Sequence, residues 1–89
     1  MTPSLLQDDD RCYVTGSRYN LDRHHCLHGS YRKAADKWGL WVWLRHDIHM
    51  DVHQRDIELD RRLQREAQEA FEKKYGHEKF MEVFGRSFL

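Results

Sequence analysis

The chain has 89 residues, with fifteen Lys or Arg and fifteen Asp or Glu, so its formal net charge is zero when its seven histidines are neutral. This length argues against a second independent domain and leaves a modest core, which a bound metal or a partner would help to stabilise. No apolar run approaches the roughly 20 residues needed to cross a bilayer, so we expect no membrane association. Two cysteines without a signal peptide predict a reducing compartment, and hence a cytoplasmic protein.

The N-terminal segment lacks any periodic apolar pattern. Residues 1–10 end in three aspartates, which predicts a flexible arm ahead of a single domain at residues 11–89. The run Cys-Tyr-Val at residues 12–14 favours a short strand, and Thr-Gly-Ser at residues 15–17 favours a turn. We therefore expect order to begin near Cys12.

The middle of the chain predicts two strands separated by a short helix. The first strand covers residues 21–27 and contains a histidine doublet, and the helix runs from Ser30 to Trp38. Residues 40–44, Leu-Trp-Val-Trp-Leu, are the most apolar segment and predict a buried strand. Alternation puts Trp41 and Trp43 on one face of it, where we expect a long helix to cover them. A platform for stacking nucleic-acid bases is the less favoured interpretation of these tryptophans.

The C-terminal half is helical in pattern. Residues 46–75 carry apolar side chains on one stripe and predict one long helix that ends at Gly76. A last short helix is expected from about His77, and Gly85 should release the tail. The predicted fold class is therefore α+β.

Two of the histidines are spaced for a helical metal site. His49 and His53 are four residues apart, so on a helix they share a face and can converge on one ion. Such a pair also occurs on ordinary solvated helix faces. His46 could replace one of the pair, and Asp47 or Asp51 could add an oxygen ligand.

The doublet His24-His25 poses a geometrical problem, because neighbouring side chains on a regular strand point to opposite faces. Both can serve one site only at a strand end, a bulge or a strongly twisted hairpin. The alternative is that one histidine enters the core while the other faces solvent. His28 and His77 are expected to be surface residues.

The charge is unevenly distributed around the doublet. Residues 18–45 contain six Lys or Arg against two Asp, a local excess that favours a phosphodiester ligand. An ordinary solvated face explains the same charges equally well.

The order of doublet, strand and helix pair resembles the ββα-metal core of HNH nucleases, with an interval similar to that of the colicin-type DNases. A second resemblance covers more of the chain. Arg23-His24-His25, the run Gly-Leu-Trp-Val-Trp-Leu at residues 39–44, and the C-terminal residues 75–89 resemble small HNH-type proteins encoded by phages and prophages.

This resemblance implies a ββα-metal core followed by a long helix and a short terminal helix, and a metal-dependent endonuclease that hydrolyses DNA in a bacterial host cell. It implies His25 as general base and His24, His49 and His53 as ligands of one divalent ion, Mg²⁺, Mn²⁺, Ni²⁺ or Zn²⁺. Arg23 or Arg45 would hold the scissile phosphate. Because no helix is rich in base-reading side chains, cleavage would be relaxed or directed to its site by a protein partner.

Two departures from the family pattern leave alternatives open. The asparagine expected between doublet and helix pair is absent, so Asp36 takes its bracing role or the role is lost. A Cys-x-x-Cys knuckle is also absent, because Thr15 and Arg45 stand where cysteines would fall, which excludes a four-cysteine zinc site. The alternatives are a catalytically weak or inactive metal-stabilised binding protein, such as a phage factor acting on a host nuclease or replication complex, and a protein that works through its long charged helix alone.

Overall fold

A computed structural model describes residues 2–89 and shows an α+β fold of two strands and four helices. The strands are β1 (Leu21–His25) and β2 (Trp41–Arg45), and the helices are α1 (Arg32–Lys37), α2 (His46–Gln54), α3 (Ile57–Tyr75) and α4 (His77–Phe84). One turn of 3-10 helix at Gly29–Tyr31 leads into α1. The order β1, β2, α2 is compatible with a ββα unit.

The two strands form an antiparallel pair whose register decides where the doublet points. His24 lies opposite Val42, and His25 lies opposite Trp41. Since side chains alternate across a strand, His24 and Val42 share the core face, while His25 and Trp41 share the other face. Val42 is fully buried and His24 is only 1% exposed. The strands predicted at residues 21–27 and 40–44 are confirmed, although β1 ends at His25 and β2 lies one residue later than predicted.

The core lies between the sheet and the two C-terminal helices. Leu63, Ala67 and Phe71 of α3 are fully buried, as is Phe80 of α4, whose ring centroid lies 5.4 Å from that of Phe71. Each buried ring or leucine contributes about 1.5–3 kcal/mol. Gly85 ends α4 in the left-handed conformation. Within residues 2–89, no helix combines the length and apolarity that a bilayer crossing needs.

The single helix predicted over residues 46–75 is wrong, because the chain breaks it at Arg55 and Asp56. The Asp56 carboxylate accepts a hydrogen bond from the Leu59 backbone N–H at 3.0 Å and so caps a new helix. An aspartate that satisfies a free N–H at a helix start stabilises that start, typically by about 1 kcal/mol. The break lets α2 follow the sheet while α3 packs its own apolar stripe on the core.

Residues 2–10, expected as a flexible arm, instead pack along β2. The Leu5 N–H donates to the Gly39 carbonyl at 2.8 Å, and the Trp43 N–H donates to the Gln7 side-chain oxygen at 2.8 Å. Leu5 and Leu6 also pack against the buried cluster. The folded unit therefore extends beyond the predicted boundary at residue 11.

The arm also covers the tryptophans that were expected beneath a long helix. The Trp41 indole N–H donates to the Thr2 carbonyl at 2.8 Å, and the Trp43 indole N–H donates to Asp10 at 3.1 Å. The core face is instead formed by Val42 and Leu44 of β2 and by Leu40 just before it, all of which are fully buried. The strand predicted at residues 12–14 is wrong, because the chain turns at residues 13–15, although the Tyr13 N–H donates to the Trp43 carbonyl at 2.8 Å.

Candidate metal centre

His24 is the buried centre of a group of histidines. No residue among 2–89 forms a hydrogen bond with its Nε2 atom. Burial, together with the nearby imidazoles of His28, His49 and His53, lowers the pKa of His24 to about 3. His24 is therefore uncharged at neutral pH. A neutral imidazole with an unused nitrogen is a suitable metal ligand.

Helix α2 brings His49 and His53 to His24. Their i,i+4 spacing puts their Nε2 atoms 3.0 Å apart, and the ligand atoms of all three histidines lie within 4.8 Å of one another. Two ligands of a tetrahedral ion with bonds of about 2.0–2.1 Å would be about 3.3 Å apart, so small side-chain rotations suffice. The structure thus brings together the three residues predicted as metal ligands, as a group that could hold an ion.

Asp22 of β1 orients one of these ligands. Its carboxylate lies 2.9 Å from His49 Nδ1 and 2.6 Å from His46 Nδ1. Hydrogen bonds from these two imidazoles lower the pKa of Asp22. An N–H at Nδ1 of His49 leaves Nε2 free for metal, which is the usual carboxylate–histidine–metal arrangement.

The alternative ligands considered from the sequence lie outside this group. His46 is mostly exposed and turns toward Asp22. Asp47 pairs with Arg45, and Asp51 pairs with Arg55. His46, Asp47 and Asp51 are thus close to His49 in sequence, but their side chains do not join the three-histidine group.

His25 reaches the same cleft from the other face of β1, because it is the last residue of the strand. The cleft has a volume of about 300 Å³, and its lining is Arg23, His24, His25, His28, Gly29, Arg32, His49 and His53. His25 Nε2 lies 3.3 Å from the Asp36 carboxylate of α1. Burial, together with the nearby Arg32 and Arg23, lowers the pKa of His25 despite its contact with Asp36, which favours the neutral imidazole at pH 7. Asp36, the residue suggested as a replacement for the absent bracing asparagine, thus contacts His25.

The two arginines predicted to hold a phosphate are placed differently. Arg23 lines the cleft, forms an ion pair with Asp36 and lies over the Trp41 ring at 4.4 Å. Arg45 pairs with Asp47 at 2.6 Å and lies at the opposite end of the sheet. Arg45 lies opposite Leu21, which is four positions along β1 from His25, a distance of about 13 Å. Arg45 is therefore not part of the cleft.

Arg32 is a rim residue that the sequence identified only as part of the basic segment. It is exposed, it lines the cleft, and no carboxylate of residues 2–89 lies within ion-pair distance of it. Its guanidinium is therefore available to an anion that enters the cleft.

Two further residues of the centre were missed. His28, expected as a surface residue, contacts Asp60 of α3 through Nε2 at 2.6 Å. With His24 these residues form a second group that could hold a metal ion, again with ligand atoms within 4.8 Å of one another. His28 and Asp60 are 32 residues apart, so no local sequence pattern connects them.

The cysteines take no part in this centre. Both Cys12 and Cys26 are buried and unpaired with each other. Complete burial raises the pKa of the Cys26 thiol, which leaves it protonated and unreactive at neutral pH.

Comparisons with family models, with curated proteins and with solved structures found no match to this chain.

Proposed function

We propose that the chain is a metal-dependent endonuclease of the HNH type that hydrolyses phosphodiester bonds in DNA. The observation that carries the proposal is the shared cleft. A neutral His25 held by Asp36 opens into the same space as His24, His49 and His53. A base beside a metal-ligating group is the minimum that metal-assisted hydrolysis needs.

The donor set suits a divalent ion. Three imidazoles favour Zn²⁺ or Ni²⁺ over Mg²⁺, which prefers oxygen ligands. The unpartnered Nε2 of the buried His24 supports the fit, because a buried polar atom without a partner costs about 1–3 kcal/mol. When bound, the ion would supply Lewis-acid stabilisation of the negative charge on the phosphate and leaving oxygen.

His25 would remove a proton from the attacking water. If its Nε2–H donates to Asp36, its Nδ1 is left with a lone pair that accepts the proton. The Asp36 carboxylate then stabilises the imidazolium that forms and keeps the ring oriented. Its own charge is favoured, because the His25 hydrogen bond and the nearby Arg23 lower the pKa of Asp36.

Positive charge at the cleft rim would bind the DNA backbone. Arg32 is exposed there without a carboxylate partner, whereas Arg23 is held by Asp36. We therefore assign the first phosphate contact to Arg32, with Arg23 as a support for Asp36 and His25. A protein partner that selects the cleavage site remains part of the proposal.

Plasmid nicking across Mg²⁺, Mn²⁺, Ni²⁺ and Zn²⁺ tests the assignment. His25→Ala should lose about 10²–10⁴-fold in nicking rate, as expected for removal of a general base, while its metal affinity and melting temperature stay near wild type. His77→Ala is the matched control, because His77 is exposed on α4 and pairs with Glu72 away from the cleft. A folded, metal-loaded wild-type protein that nicks DNA with none of these ions would contradict the proposal and favour a metal-stabilised binding protein.

A further inference from the structure

His28, which follows β1, and Asp60 of α3 also lie close to His24. The His28 and His24 ring centroids are 5.3 Å apart, and His28 Nε2 lies 2.6 Å from the Asp60 carboxylate. The His28 ring also lies close to that of His53, with centroids 5.9 Å apart, and His24 is the residue common to both groups. The Nε2 atom of His24 is buried and has no hydrogen-bond partner within residues 2–89.

The geometry points to a second metal-binding position formed by His24, His28 and Asp60, beside the one formed by His24, His49 and His53. A neutral imidazole nitrogen has one lone pair, so His24 Nε2 serves one ion at a time. We take this unpartnered Nε2 as the ligand atom that both positions share, which makes them alternatives for a single ion. One offers three imidazoles, and the other offers two imidazoles and a carboxylate.

Occupation of the second position would connect distant parts of the fold. Asp60 lies in the first turn of α3, whereas His24 lies in β1 and His28 just after it. An ion bound there would tie α3 to the sheet and so stabilise the fold by its binding free energy. The carboxylate makes this position better suited than the three-histidine one to ions that favour oxygen, such as Mn²⁺.

The competing explanation is an ordinary ion pair between His28 and Asp60. The two side chains are 38% and 24% exposed, and a pair of that exposure contributes little to stability. An ion pair alone would confer no metal binding on a chain that has lost His49 and His53. The inference rests on the proposed metal centre but not on nuclease activity.

The experiment is Zn²⁺ and Mn²⁺ titration of a double variant, His49→Gln with His53→Gln, by calorimetry and by thermal shift. We expect this variant to keep one weaker site, and a third change, His28→Gln, to abolish it. The control is His77→Gln in the same double variant, which should leave the site intact. Circular dichroism checks folding, and the single variant His53→Gln, changed at an exposed position, replaces the double variant if the latter does not fold.

The outcomes separate this inference from the proposed function. If wild type binds metal but the double variant does not, or if His28→Gln leaves the residual site unchanged, the second position is refuted and the three-histidine centre stands. If wild type binds neither ion, the metal centre itself is refuted. If His53→Gln replaces the double variant, His28→Gln is added to it, and the metal affinities of the two proteins are compared. Equal affinities refute the second position.

Discussion

Gly39→Ala should destabilise the fold by displacing the N-terminal arm. Gly39 has a φ of +75°, and a Cβ atom added there would lie 2.3 Å from the Pro3 carbonyl oxygen. Gly16 provides a matched control, because its φ of +78° is nearly the same but no atom lies within 4 Å of its added Cβ. The two alanine variants therefore share the backbone strain and differ in the collision.

The magnitude follows from what the arm must give up. A left-handed backbone costs an alanine about 1–2 kcal/mol, and both variants suffer this loss. In Gly39→Ala the arm must also move, which breaks the hydrogen bonds from Leu5 to Gly39 and from Trp41 to Thr2. At about 0.5–1.5 kcal/mol each, these bonds add about 1–3 kcal/mol to the loss. We expect a total of about 2–5 kcal/mol, against about 1–2 kcal/mol for Gly16→Ala.

Urea denaturation followed by circular dichroism measures the free energy of unfolding of both variants. Tryptophan fluorescence should shift to longer wavelength in Gly39→Ala only, because Trp41, 5% exposed, loses its cover. Metal affinity should not change, since His24 lies on the opposite face of the sheet from Trp41. Equal losses of stability in the two variants would refute the idea that the arm is held against Gly39.

Three further results are expected. Asp22→Asn should weaken Zn²⁺ binding about 10–100-fold by calorimetry, because Asp22 orients His49, and an unchanged affinity would contradict that role. Asp36→Ala should reduce nicking by disorienting His25 while metal affinity is retained, and loss of both would indicate a structural defect instead. Without metal and with a chelator present, unfolding free energy should fall as the pH drops below about 6.5. The folded-state pKa of His24 is lowered to about 3, so the unfolded chain binds a proton that the folded chain excludes. His24 alone contributes about 1.4 kcal/mol per pH unit to this slope, and an equally steep slope in His24→Gln would refute the assignment.

The elements governed by local spacing could be predicted from the sequence. The i,i+4 pair His49 and His53 shares one face of α2, and alternation in β1 sends His24 and His25 to opposite faces. Both results follow from the geometry of one helix and one strand. The sequence left open whether both histidines of the doublet serve one site or only one of them does. The answer depends on where β1 ends, because its end lets His25 reach the cleft although it points away from the core.

What only the tertiary structure decided depends on contacts between segments far apart in the chain. Periodicity carried the predicted long helix through Asp56, where the side chain caps a new helix. The arm lacks a periodic pattern because its backbone bonds to β2 do not require one. Arg45 and Arg23 looked equivalent as basic residues near the doublet, yet the antiparallel register puts them at different places along the sheet. His28 contacts Asp60 because packing brings α3, which begins 29 residues later in the chain, beside it. Spacing along one element follows from backbone geometry, whereas these encounters depend on how complete helices and strands pack to bury apolar side chains.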